Sequence, residues 1–116
     1  RHLLKPVETS SANIEKINQG IIFYAPEGTP VHAVSPGKVV FCDWLKGYGL
    51  LLIIDHGAGY MTLYAHNQML LKNKGEFVDK GEKIANVGHS GGINKTGLYF
   101  EVRHGGKAIP PLQWLS

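Results

Sequence analysis

Glycine and proline punctuate this chain so often that few architectures remain open to it. Fifteen Gly and six Pro fall between short runs of β-branched and aromatic residues, a pattern of many turns joining many short strands. The expectation is an all-β fold. At 116 residues the chain makes one domain, because a second would leave neither half enough length to bury a core. A content of 43% hydrophobic and 18% charged residues is that of a globular protein rather than a disordered one. The longest apolar run, residues 50–54, falls far short of the ~20 residues that span a bilayer. The net charge of +3 comes from residues scattered singly, without the clustered basic stripe of a nucleic-acid surface, so nucleic acid is set aside as a partner. Cys42 has no second cysteine to pair with and reads as a small strand residue. The chain opens at Arg1 without a targeting signal and reads as a piece of a longer precursor, so no compartment follows from it.

Strand periodicity fills in the order. Residues 1–13 mix polar side chains with Pro6 and read as an N-terminal arm or edge strand, with the domain proper over 14–116. Residues 14–17 lead through Gly20 into a strand at 21–24, stopped by the Pro26-Glu27-Gly28 turn. Residues 31–34 and 37–42 read as a hairpin around Ser35-Pro36-Gly37. Residues 50–55, apolar at almost every position, are expected to be covered on both faces and central in their sheet, with 60–66 as the neighbour across Gly57-Ala58-Gly59. Residues 67–74 read as an excursion before a strand at 84–87. The spacing of Gly75, Val78, Gly81 and Ile84 loosely echoes Gly28, Val31, Gly37 and Val40, which implies two similar β-hammerhead units. In the last strand Leu98, Phe100 and Val102 alternate with Tyr99, Glu101 and Arg103, and period two turns the latter three away from the core.

Three segments in order then carry a resemblance. Residues 19–31, ending in Gly28-Thr29-Pro30-Val31, resemble the first motif of the lysostaphin-type (LytM) zinc endopeptidases of family M23, where a His and, four residues later, an Asp precede a Gly-Thr-Pro-Val turn. Tyr60-Met61-Thr62-Leu63-Tyr64-Ala65-His66 is similar to the segment that supplies a catalytic His, and Gly97-Leu98-Tyr99-Phe100-Glu101 stands where that family has His-x-His. The resemblance covers residues 18–114 and implies a LytM duplicated-hybrid-motif β-sheet fold with a shallow groove at the peptidase site. Carried over residue by residue, the ligand positions hold Asn18, Ile22 and Tyr99, Gly97 replaces a catalytic His, and His66 alone survives. Hydrolytic zinc needs three imidazole, carboxylate or thiolate ligands and an open position for water. The expectation is a degenerate domain with no metal, no cofactor and no catalytic residue. His2, His32, His56, His89 and His104 lack the spacing to another ligand that would prearrange a different site.

A groove emptied of metal but walled by apolar and aromatic side chains suits a polypeptide. The candidate lining is Gln19, Ile22, Tyr48, Leu51, Tyr64, His66, Tyr99 and Arg103, with Tyr64 and His66 expected on one strand face with Thr62. Tyr and Arg combine contact area with polar reach, which makes Tyr48, Tyr64, Tyr99 and Arg103 the expected anchors. The stretches Asp43-Trp44-Leu45-Lys46-Gly47-Tyr48-Gly49-Leu50, Ser90-Gly91-Gly92, Leu98-Tyr99-Phe100-Glu101 and Pro111-Leu112-Gln113-Trp114-Leu115 resemble the EnvC-like activators of N-acetylmuramoyl-L-alanine amidases. That resemblance implies a periplasmic domain in a Gram-negative bacterium that captures the amidase's regulatory helix, under control of a division-site membrane transporter complex acting through upstream regions. The alternatives are a peptidoglycan-binding or scaffolding LytM module, and a zinc endopeptidase. A biotinyl or lipoyl carrier shares the glycine-valine turn pattern but needs a Lys in a tight hairpin, a setting that Lys38 and Lys80 lack.

Overall fold

The structure is a computed structural model and describes residues 3–115. Among the described residues strand makes up 55%, and there is no α-helix, only two single 3₁₀ turns at Ser11–Asn13 and Leu112–Trp114. The ten strands in chain order are β1 (Ile14–Ile17), β2 (Gly20–Tyr24), β3 (Pro30–His32), β4 (Gly37–Leu45), β5 (Gly49–Gly57), β6 (Tyr60–Leu70), β7 (Phe77–Val78), β8 (Lys83–Val87), β9 (Gly97–His104) and β10 (Lys107–Ile109). Seven of them line up as β1-β2-β9-β6-β5-β4-β7, all neighbours antiparallel, while β10 extends β9 and β8 bridges β3 and β6.

Burial explains the order. In β5 Leu52 and Ile54 enter the main core while Leu51 joins a second apolar cluster on the opposite face, so the near-continuous apolar run is covered on both sides. β9 is the other hub: Leu98, Phe100 and Val102 lie in the main core with Ile21, Phe23 and Tyr64. Phe100 meets both Phe23 and Tyr64 edge-on, at centroid distances of 6.1 and 5.4 Å, the arrangement that aromatic quadrupoles favour. The arm is part of this packing, since Leu3 and Val7 are buried in the same core and Leu3 bridges to Leu115.

Two expected connections are corrected. Residues 31–34 and 37–42 do not form a hairpin: β3 pairs with β8, and the start of β4 pairs with β7. The two glycine-valine units thus pair with each other rather than each with itself, and Ser35-Pro36 is a crossing between them. Residues 67–70 are not an excursion either, because β6 runs on to Leu70 against β8. The sequence hides this continuation because β6 contains a bulge. Leu50 pairs with Asn67 and Leu52 with Tyr64, leaving two β6 residues opposite one of β5, and His66 takes up the slack in the left-handed region at φ 65°.

Candidate functional site

Ile22 and Tyr99, packed in a second cluster with Leu51, Leu63 and Ala65, floor a depression of about 600 Å³ on the face opposite the main core. Ile22 and Tyr99 are direct cross-strand partners of β2 and β9, so strand parity delivers both to the same floor. Tyr48 comes from the β4–β5 turn, with its ring 6.4 Å from that of Tyr99. Gln19 and Asn18 form the two-residue turn between β1 and β2, Asn18 in the left-handed region at φ 53°, which a short polar side chain tolerates. Ile17, Gly47 and Ile93 complete the rim, and Glu101 reaches the depression from below.

His66 enters through its bulge. The positive φ lifts its ring out of strand alternation and over the depression, 6.2 Å from Tyr99. Its Nδ1–H donates to the Ser90 carbonyl at 2.7 Å and its backbone N–H to the Tyr48 carbonyl at 2.8 Å. Ser90 is itself fixed, its Oγ donating to the Asn67 carbonyl at 2.6 Å and accepting from Leu50 N–H at 3.0 Å. Burial lowers the His66 pKa, with the Ser90 carbonyl pulling it back up, and the neutral ring keeps Nε2 as an acceptor.

Two lining residues are misplaced by sequence reasoning. Tyr64 is 0% exposed in the main core, where its hydroxyl accepts from Val34 N–H at 3.3 Å and lies 2.8 Å from Thr62 Oγ1. It does not share a face with His66, because the bulge at residues 65–66 breaks the parity on which that expectation rests. Leu51 is 1% exposed and supports the floor from beneath without reaching a partner. Tyr99 is itself only 6% exposed, so a charge at this position is not a neutral surface change.

Arg103 lines a second depression of about 540 Å³ with Lys16, Gly20, Lys107 and Pro110. Asn18 and Gln19 border both depressions, which therefore lie side by side as the two halves of one hollowed surface. Glu101, 2% exposed, joins the halves: it accepts from the Tyr99 hydroxyl through one oxygen and from Arg103 Nε, at 2.8 Å, through the other. Sequence alternation placed Glu101 on this face but gave no sign of its role, since period two says nothing of burial.

The side chains do not fit zinc. Ile22 has no lone pair, and the Tyr99 hydroxyl spends its proton on Glu101 while burial, and then that carboxylate, push its pKa up, away from the phenolate a metal would need. At Gly97 a side chain would start 2.9 Å from the Phe23 carbonyl and 3.1 Å from Ile22 Cγ2, so the space for a second catalytic imidazole is already filled. Both Glu101 oxygens are engaged, and among the described residues no three His, Cys, Asp or Glu side chains gather as a ligand set.

Comparison with known proteins places these features. Residues 16–111 match the model of peptidase family M23. The chain is 46% identical over 98 residues to the murein hydrolase activator EnvC of Escherichia coli K12, covering 84% of this chain and 23% of that protein. It is 40% identical over 112 residues to the murein hydrolase activator NlpD of the same strain, covering 96% of this chain and 29% of that one. It therefore spans less than a third of either relative. Among solved structures, a putative M23 peptidase from Pseudomonas aeruginosa superposes with a TM-score of 0.87 at 25% identity, over 94% of this chain and 48% of that one. Lysostaphin from Staphylococcus simulans gives 0.78 at 27%, over 82% and 42%.

Proposed function

The chain belongs to peptidase family M23, and on that premise we propose that it is a non-enzymatic activator of N-acetylmuramoyl-L-alanine amidases in the bacterial periplasm, where it promotes the splitting of septal peptidoglycan during cell division. The observation that carries this reading is the groove itself: an M23 scaffold whose ligand positions hold Asn18, Ile22 and Tyr99 around an apolar, aromatic depression. The names of EnvC and NlpD as murein hydrolase activators supply the class of partner. The domain does no chemistry on the wall. An amphipathic regulatory helix of the amidase lays its apolar side on Ile22, Tyr48 and Tyr99, with Arg103 meeting a helix carboxylate. Capture of the helix shifts the amidase from closed to open, and a shift from 1:99 to 99:1 needs a difference in affinity of about 5.5 kcal/mol between the two states. A membrane transporter complex at the division site would act through regions of the longer protein.

The test is dye release from labelled sacculi by a purified amidase, with and without this domain. Stimulation by the parent, lost in Tyr48→Ala and in Arg103→Gln, is the expected result; neither residue is in the main core, the Gln amide can still donate to Glu101, and circular dichroism checks that both variants fold. No stimulation of any amidase, with co-sedimentation of the domain on bare sacculi, would instead favour a peptidoglycan-binding module. Murein fragments released by the domain alone would mean a peptidase after all.

A further inference from the structure

Glu101 is the least expected residue of the groove, a carboxylate 2% exposed beside the apolar and aromatic floor of Ile22 and Tyr99. A buried charge is costly unless it is paired and hydrogen-bonded, and both its oxygens are taken, one by Tyr99 and one by Arg103. The backbone opposite is shaped to hold it. Glu101 sits across from Gly20, where a Cβ would fall 2.9 Å from Glu101 Cγ and 2.9 Å from Tyr99 Cε1, and closer still to the Phe100 carbonyl. Gly20 is needed here for space, not for an unusual φ.

With Nε given to Glu101, the guanidinium of Arg103 keeps the N–H groups of its two terminal nitrogens. Arg103 borders the second depression together with Lys16 and Lys107, and Glu15, the neighbour of Lys16 in β1, is engaged by the Tyr24 hydroxyl at 2.6 Å. By register Lys16, opposite Ile21, and Lys107, opposite His104, belong to the other face of the sheet, so Arg103 is the cation that Glu101 holds toward the second half of the groove, while the first half offers Ile22, Tyr48 and Tyr99. We infer that Glu101, seated over Gly20, is a positioning residue that locks Tyr99 and Arg103 into one two-part anchor, and that the segment received by the anchor carries a carboxylate beside an apolar side chain. This rests on the activator reading and specifies the chemistry of its ligand.

The positioning is read without a partner. In NMR spectra of the chain the Arg103 Nε–Hε signal is expected downfield and slow to exchange in the parent, and near the free-arginine position and fast in Glu101→Gln. The ligand is read with two synthetic peptides spanning an amidase regulatory helix, one native and one with every Asp and Glu changed to the amide. The parent is expected to prefer the acidic peptide by about tenfold, the scale of one charge-assisted hydrogen bond. In Arg103→Gln and Glu101→Gln the preference is expected to shrink to about twofold or less. Should Glu101→Gln not fold, Arg103→Lys carries the same test, because one ammonium cannot both bond Glu101 and reach outward as a planar fork does. Equal binding of the two peptides by the parent overturns the anchor alone. Preference and Hε signal unchanged in Glu101→Gln overturn the positioning role. A parent that binds neither peptide overturns the activator reading and the anchor's ligand with it.

Discussion

The two faces of strand β9 are built from alternate residues of one segment and do opposite things. Leu98, Phe100 and Val102 are at most 2% exposed and pack into the main apolar and aromatic core, making no side-chain hydrogen bond of their own. Tyr99 and Glu101 are nearly as well covered, at 6% and 2%, yet they sit among polar contacts and end at a half-exposed Arg103. On the first face burial is satisfied by shape; on the second it is satisfied only because each polar group has a partner. A face of the first kind tolerates little change in volume, whereas one of the second kind can be re-tuned through its hydrogen bonds while the scaffold stands. That is how a peptidase fold can lose its ligands and keep its groove.

Substitutions on the two faces are the sharpest way to break this contrast. Phe100→Ala removes a fully buried ring between Phe23 and Tyr64 and is expected to cost about 3–5 kcal/mol in denaturant unfolding. Tyr64→Phe keeps the volume but leaves Val34 N–H without its buried acceptor, at about 1–3 kcal/mol. Arg103→Ala, on the second face, leaves one oxygen of the buried Glu101 carboxylate without its partner and is expected to cost about 1–3 kcal/mol, less than the loss of the Phe100 ring. The same variant is expected to abolish amidase stimulation. If Arg103→Ala proved as destabilising as Phe100→Ala, the two faces would be one core and the contrast would fail.

How far the sequence could be read follows the same division. The all-β fold, the central β5 and the alternation of β9 were legible because each rests on a repeating pattern of side chains. That Ile22 and Tyr99 face the groove together followed from parity in two regular strands; that they are direct partners is seen only in the fold. What was not legible lies where the pattern breaks. The bulge at residues 65–66 inverts the parity of β6, so Tyr64 reads as a groove residue when it is core, and His66 reaches the groove by a route that alternation cannot foresee. The pairing of β3 with β8 is non-local and leaves no mark in either strand, and a proline-glycine turn between neighbours is the stronger local signal even when it is misleading. Leu51 and Glu101 were placed on the correct face, but their burial depends on neighbours that alternation does not reveal, Tyr48 and Leu63 about Leu51 and the side chains of Tyr99 and Arg103 about Glu101.

The smallest expected effect concerns acid, and it follows from the direction of one chain of hydrogen bonds on the core side. His56 Nδ1–H donates to the Pro36 carbonyl at 2.7 Å, so Nε2 accepts from Thr62 Oγ1 at 2.6 Å. Thr62 in turn accepts from the Tyr64 hydroxyl, which accepts from Val34 N–H. Every donor in this series points toward His56, and the series holds only while the imidazole is neutral. A proton on Nε2 would face the Thr62 hydroxyl donor to donor and force Thr62 and Tyr64 to turn, leaving Tyr64 with Val34 N–H still aimed at it. Burial lowers the His56 pKa below the ordinary 6.5, although the Pro36 carbonyl and the Asp55 carboxylate oppose the shift; His66 is lowered in the same sense. A base whose folded-state pKa is depressed stabilises the fold above the unfolded value and loses that contribution as the pH falls through the folded one. Thermal unfolding is therefore expected to show a lower Tm at pH 5 than at pH 7.5, with a smaller drop in His56→Gln, which has no proton to take up. An equal drop in parent and variant would mean that the acid sensitivity belongs to the groove side, through His66, and not to the core.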